Sequence, residues 1–308
     1  MSLYPKSYRT LLPHWLRRLA TFVLGIVLLY APFALLTRGL LWLTGTPLLP
    51  DAHRICMRMP IQWLGQPWMY ATMVEQPMYL VAILFLPGIA LFVGPLFCGW
   101  LCPAGGMTEY LSRLVPSRFQ LDLGGKVNPV PIRYGFTIGM MGASFIGANV
   151  CCSFCNFTYT QNLISAVFGD ATGIAYWTSF MVAGFVLWFF VLGLFTKGGR
   201  GWCNFLCPAG ALQGLAHSLG RWLRLGRSVQ ILQGQCRNCR TCLSTCPTWA
   251  ISVKEETMQI NSHACNVCMD CTKVCRHNAI AYRTNRGAVR QPVTEPAQAG
   301  LASEVLDA

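Results

Sequence analysis

Four uncharged apolar runs punctuate the chain. Residues 19–37 (LATFVLGIVLLYAPFALLT) lie between Arg18 and Arg38, and residues 76–97 (QPMYLVAILFLPGIALFVGPLF) follow Glu75 and stop at Cys98. Residues 134–150 follow Arg133 and run into Cys151, and residues 171–196 lie between Asp170 and Lys197. Each can cross roughly 30 Å of hydrocarbon as a helix, the third only just. The pattern predicts four transmembrane helices in two pseudo-symmetric hairpins. Gly135 and Gly139, four apart, fit either close helix packing or a glycine-tolerant helix facing lipid. Later the pattern shortens, and residues 251–260 (ISVKEETMQI) predict a small hairpin. The expected organisation is a cytoplasmic segment 1–18, a membrane domain 19–225, a second domain 226–283 and a small, polar, disordered tail 284–308.

Composition agrees with a membrane protein. The chain is 54% hydrophobic and 11% charged, against about a quarter charged in soluble domains. Charge sets the orientation. Lys6, Arg9, Arg17 and Arg18 precede the first run, and Arg113, Arg118, Lys126 and Arg133 lie between the second and third. On the other side Arg38, Arg54 and Arg58 are balanced by Asp51, Glu75 and Asp170, so the net charge of +13 falls on one side. The positive-inside rule makes that side cytoplasmic and puts both termini there. Arg17-Arg18 suggests a twin-arginine signal, but no small-residue cleavage site follows, so an uncleaved first span is expected. The basic residues flank spans, and no nucleic-acid partner is read from them.

Sixteen cysteines complete the picture. A chain this long and apolar is not a disulfide scaffold, and short cysteine spacings mean metal. "CRNCRTCLSTCP" and "CNVCMDCTKVC" are both C-x2-C-x2-C-x3-C, the two-cluster ferredoxin run in which the fourth cysteine serves the other cluster. Cluster one is then Cys236, Cys239, Cys242 and Cys275; cluster two is Cys265, Cys268, Cys271 and Cys246. Arg276 stands where proline usually follows. The expected second domain is therefore a cytoplasmic α+β two-cluster ferredoxin-like domain. Zinc ribbons use different spacings. "FCGWLCPAGG" (97–106) and "WCNFLCPAGA" (202–211) repeat one frame at the cytoplasmic end of each hairpin. If helical, Cys98 and Cys102, like Cys203 and Cys207, share a face, and Pro103 and Pro208 fit helix starts. Two such pairs offer four thiolates to one shared cluster, to zinc, or to buried structural packing.

Four spans, two Cys-x3-Cys-Pro motifs and a terminal two-cluster ferredoxin resemble the NapH/NosR/MauN-type family of membrane-bound 4Fe-4S ferredoxin-type proteins, over about residues 15–282. The resemblance implies a multi-pass protein of the bacterial inner membrane, part of a quinol dehydrogenase or electron-supply system. It implies the quinone pool, a second iron–sulfur protein and a periplasmic redox enzyme as partners. A maturation factor supplying electrons for assembly of a periplasmic enzyme's cofactor is the alternative, and a redox sensor or metal-handling protein is the third reading.

Cys56, Cys151, Cys152 and Cys155 fall outside the family pattern as far as the motifs go, and topology puts them on the outer side. They read either as a metal centre, a cluster or a copper site helped by His53 and Met57, or as disulfides. A quinone site needs a proton acceptor near the interface, and His53, Glu75, Glu109 and His217 are candidates by position alone.

Overall fold

The computed structural model describes residues 6–30, 32–44, 56–75, 77–124, 126–148, 150–151, 153–254 and 256–287. His53, Cys152 and residues 288–308 of the expected tail lie outside them. Helices α1 (Lys6–Leu29), α2 (Leu35–Thr44), α3 (Arg58–Gln62), α4 (Pro67–Glu75) and α5 (Pro77–Val93) come first. Helix α5 stops at Gly94, whose φ of 77° is a left-handed stop that glycine adopts without a Cβ clash. A π-helical turn, Phe97–Leu101, then carries Cys98, and α6 (Pro103–Ser112) begins with Pro103 in its first turn. Helix α7 (Pro129–Ala143) is opened by Asn128, whose side chain accepts from the Val130 N–H.

Helices α8 (Asn156–Val167), α9 (Thr172–Ala175) and α10 (Ser179–Val186) follow, and α10 runs on as a π-helical segment, Leu187–Leu194. The second half then closes as the first does. Helix α11 (Gly201–Phe205) carries Cys203, and α12 (Pro208–Trp222) starts with Pro208.

The apolar runs and the helices do not coincide. Helix α1 starts well before residue 19 and ends at Leu29, and the chain turns through Ala34 at φ 44° before α2. The third run ends as α-helix at Ala143 and turns at Gly147, φ 73°. The fourth begins as the short α9, and its long helix starts only at Ser179. Among the described residues, Leu12–Leu29 is long and apolar enough to cross a membrane, and α4 with Tyr79–Val93 passes as a pair bent by 91°. Ser179–Leu194 is apolar but shorter. Gly135 and Gly139 have nothing within 4 Å of where a Cβ would stand, so they face open space and not a neighbouring helix.

The cysteine-rich end is α+β. Strand β1 (Arg227–Ile231) pairs antiparallel with β4 (Ile280–Thr284), Arg227 opposite Thr284 and Ile231 opposite Ile280. Strands β2 (Ile251–Lys254) and β3 (Thr257–Ile260) form the hairpin expected for residues 251–260. The one-turn helices α13 (Thr241–Thr245) and α14 (Asp270–Val274) complete two like halves. Val229, Ile231, Ile251, Met258, Ile260 and Ile280 make a core against which the cysteine loops pack. This unit sits on the helices: the Tyr282 hydroxyl donates to the Val93 carbonyl at 2.8 Å, and Trp249 Nε1 donates to the Lys197 carbonyl at 3.3 Å.

Candidate functional site

The two ferredoxin-type runs fold alike. Asn238, Arg240 and Trp249 have φ of 51°, 58° and 51°, and the matching Val267, Met269 and Asn278 have 53°, 64° and 51°. Each non-glycine residue there costs about 1–2 kcal/mol, and for β-branched Val267 the position is an outlier. A backbone curled this tightly turns successive groups inward around a compact object. Cys242 lies in electrostatic range of Cys236, Cys239 and Cys275. Cys246 is in range of Cys265, Cys268 and Cys271, which respond to it in turn.

Burial pushes the Cys242 thiol up to about 11 and Cys265 up to about 12, and raises Cys268 and Cys271 well above ordinary thiol values. Such thiols ionise only when a cation takes the proton's place. Cys239 is exposed, and its thiol moves down because it accepts the Thr241 N–H. The first set therefore reaches solvent and the second faces the helices.

Cys98, Cys102, Cys203 and Cys207 come together from the two halves of the helical part. Cys98 senses Cys102, Cys207 and Cys203, and Cys203 senses Cys207 and Cys102. The second cysteine of each pair is not helical. Cys102 and Cys207 are extended N-caps, ψ 111° and 106°, of α6 and α12. Their sulfurs stand at helix N-termini, where free N–H groups favour an anion, and the Gly210 N–H points at the Cys207 sulfur at 3.4 Å. The convergence is thus tertiary, not the one-face helical spacing expected from the sequence.

A cavity of ≈ 380 Å³ opens beside these four cysteines. Asn204 Nδ2, Gln213 Nε2, Asn266 Nδ2 and Arg133 Nε all belong to residues lining it, and all are buried without a partner among the described residues. Unpartnered buried donors around thiols suit an anionic cluster whose sulfides accept hydrogen bonds. Among the described residues no three His, Cys, Asp or Glu side chains close on the position of a single ion. Four thiols around a cubane stand farther apart than four around one ion.

The joint between this quartet and the cysteine-rich end is ionic and was missed in the sequence. Arg18, read there as a topological flank, is 1% exposed. It donates to both Glu109 oxygens at 2.8 and 2.9 Å, to Asp270 at 3.0 Å and to the Gly99 carbonyl at 2.8 Å. Arg200 bonds Glu109 at 2.7 Å and the Cys98 carbonyl, and Arg113 also reaches Glu109. His14 meets Asp270 and the Cys268 carbonyl, and Trp100 Nε1 donates to the Val267 carbonyl at 3.0 Å. Burial alone would raise Glu109, but Arg18, Arg200 and Arg113 outweigh it and hold the carboxyl well below the usual range. Gly99 lets the loops touch: a Cβ there would run into the Asn266 carbonyl oxygen. A basic pair at a span end gives no hint of this role, and only an acidic residue inside a cysteine run, Asp270, could have signalled it.

The remaining sequence candidates separate. Cys56, Cys151 and Cys155 gather near Arg58, which also senses Cys207, so this set adjoins the inner quartet instead of standing apart from it. The loop before α8 folds back to do this: Phe154 packs on Trp202, ring centroids 4.6 Å apart, beside Cys203. Met57 packs with Ile61, Ala82 and Met140. Glu109 is the hub of the joint, Glu75 is exposed at the end of α4, and His217 is buried under Gly94 without lining the cavity.

Comparison with known proteins bears on these motifs. The family described as "4Fe-4S binding domain" matches twice, over residues 76–122 and 180–226, which hold Cys98 with Cys102 and Cys203 with Cys207. "Ferredoxin-type protein NapH" of Escherichia coli is 25% identical over 231 residues, 73% of each chain. "Methylamine utilization ferredoxin-type protein MauN" of Methylobacillus flagellatus is 29% identical over 162 residues, 51% of this chain and 50% of that one. "Regulatory protein NosR" of Pseudomonas aeruginosa is 26% identical over 183 residues, 57% of this chain but only 23% of that one. No solved structure matches. Repeated cysteine motifs, converging thiols and these relatives together support a likeness of the chain to the NapH/NosR/MauN-type 4Fe-4S ferredoxin-type proteins.

Proposed function

We propose that this chain is a multi-pass inner-membrane protein, both termini cytoplasmic, that carries single electrons between the quinone pool and a periplasmic redox enzyme, with a second iron–sulfur protein as partner. Cys236, Cys239, Cys242 and Cys275 would hold one 4Fe-4S cluster, and Cys246, Cys265, Cys268 and Cys271 a second. Cys98, Cys102, Cys203 and Cys207 would hold a third between the two helical halves. When bound, such clusters take up and release one electron each without moving atoms far.

The observation that carries this reading is the direct stitching of the second set to the inner quartet through Gly99, Trp100, Arg18 and Asp270. The residues of the joint exclude water and fix the spacing of the two sites, which is what electron transfer asks of a protein scaffold. Exposed Cys239 gives the first set a port for a soluble partner. The apolar wall of the cavity, with Leu36, Leu40, Val81, Phe85 and Ile89, has the size and character of a site for an apolar ligand such as a quinol tail.

The test is iron and acid-labile sulfide per chain in oxygen-free detergent, followed by addition of a quinol analogue. These three clusters should contribute about twelve irons, with a Cys98→Ser/Cys203→Ser variant losing about four, and quinol should reduce the parent protein. Eight irons in both proteins would remove the inner centre. Full iron with no response to quinol would favour the maturation-factor reading.

A further inference from the structure

A guanidinium stays charged even when buried, so an apolar interior must supply its counter-charge. Arg18 and Arg200 find theirs in Glu109 and Asp270. Arg58 does not. It is 4% exposed, and among the described residues no carboxylate pairs with it. Its Nη1 donates to Asn156 Oδ1 and its Nη2 to the Phe154 carbonyl, both at 3.1 Å, and both acceptors are neutral. Its Nε has no partner among the described residues. What surrounds it instead is sulfur: Cys155, Cys207, Cys151 and Cys56, in that order of influence.

Three of these thiols form a set of their own. Cys151 and Cys155 are buried, and Cys56 is hydrogen-bonded to Cys151. They come from separate segments held in place by packing. Gln62 Nε2 donates to the Ala148 carbonyl at 2.7 Å and ties α3 to the folded-back loop. Cys155 is the N-cap of the twelve-residue α8. Cys56, Arg58 and Asn156 also line the cavity that reaches Cys98, Cys102, Cys203 and Cys207.

We infer that Cys56, Cys151 and Cys155 are thiolate ligands of a further iron–sulfur cluster, with Arg58 as a counter-charge shared between it and the inner quartet. A disulfide or a set of protonated thiols would be neutral and would leave Arg58 with an anion on the Cys207 side alone. Copper held by a thioether is disfavoured, because Met57 packs among Ile61, Ala82 and Met140. The proposal rests on the reading that the inner quartet holds a cluster, since Cys207 is the other anion that Arg58 meets. Through Cys56 and Arg58 the proposed site would then open on the same cavity as the inner quartet.

The experiment compares the parent chain, purified without oxygen, with Cys151→Ser, Cys155→Ser and Arg58→Gln. Iron, sulfide, zinc and copper per chain are measured, with an EPR-monitored redox titration and mass analysis under non-reducing conditions. Each cysteine variant should lose about four irons while the ferredoxin-type signals persist. Arg58→Gln keeps every ligand and should retain iron. It should shift one signal to lower potential by about tenfold in its reduction equilibrium, or about 59 mV for one electron. Unchanged iron in the cysteine variants, a disulfide among these cysteines, or stoichiometric zinc or copper would overturn the proposal. An unmoved potential in Arg58→Gln would overturn the role of Arg58. Cys98→Ser/Cys203→Ser separates the two readings: iron lost there but not in Cys151→Ser sinks this cluster alone, and the reverse sinks the inner one alone.

Discussion

At the joint between the helices and the cysteine-rich end, Arg18, Arg113 and Arg200 share Glu109 and Asp270. Around the cavity, Arg58 and Arg133 are equally buried, yet among the described residues neither pairs with a carboxylate. The polypeptide itself supplies a carboxylate partner to every arginine of the first group. Thiols lie near Arg58, and thiols become anions when they ligate metal, while Arg133 lines the same cavity beside Tyr134 and His263. One region is therefore a fastening through carboxylates, and the other is a pair of buried cations beside a cysteine-lined cavity.

The largest test of that contrast is Glu109→Gln. It leaves three guanidiniums around a neutral amide and should cost about 3–5 kcal/mol. The readout is the melting temperature of the detergent-solubilised chain and protease release of residues beyond 225. A change under about 1 kcal/mol would mean the joint is not the fastening described.

Acid should weaken the same side. Burial, then Arg221 and His263, push His217 down to about 4. The folded chain then binds fewer protons than the unfolded one between about pH 6.5 and 4. Stability is full above that window and is lost as pH falls through it, by up to about 3 kcal/mol. Thermal melts against pH should show this slope, and His217→Asn should flatten it.

Gly99→Ala forces a methyl group onto the Asn266 carbonyl and should cost about 1–3 kcal/mol. It should also slow electron passage between the ferredoxin-type end and the inner quartet more than Gly139→Ala, which meets open space. The smallest effect belongs to the other side. Arg133→Met removes a cation without freeing a carboxylate. Stability should change little, but the inner centre should move to lower potential by on the order of tens of millivolts. A large loss of stability with no potential shift would place Arg133 with the fastening residues.

Much of the chemistry was legible along the chain because it is local. The ferredoxin-type runs, the repeated Cys-x3-Cys-Pro frame, the helix starts at Pro103 and Pro208 and the hairpin over 251–260 depend on spacings of a few residues. Helix limits were less legible. A hydrophobic run reports burial or lipid contact, not where backbone hydrogen bonds stop, so breaks near Ala34, at Gly147 and before Ser179 went unseen.

The sequence by itself determined which sulfurs exist, the ferredoxin-type spacing of the two cysteine runs and that most of the chain is apolar. Only the tertiary structure decided that Arg18 and Asp270 meet across 252 positions, that Cys102 and Cys207 sit at helix N-termini, and that Cys155 and Cys207 face one arginine. The reason is physical. Ligand spacing is written over one turn of chain, but the counter-charge of a buried group comes from whichever segment packs against it, at any distance in sequence.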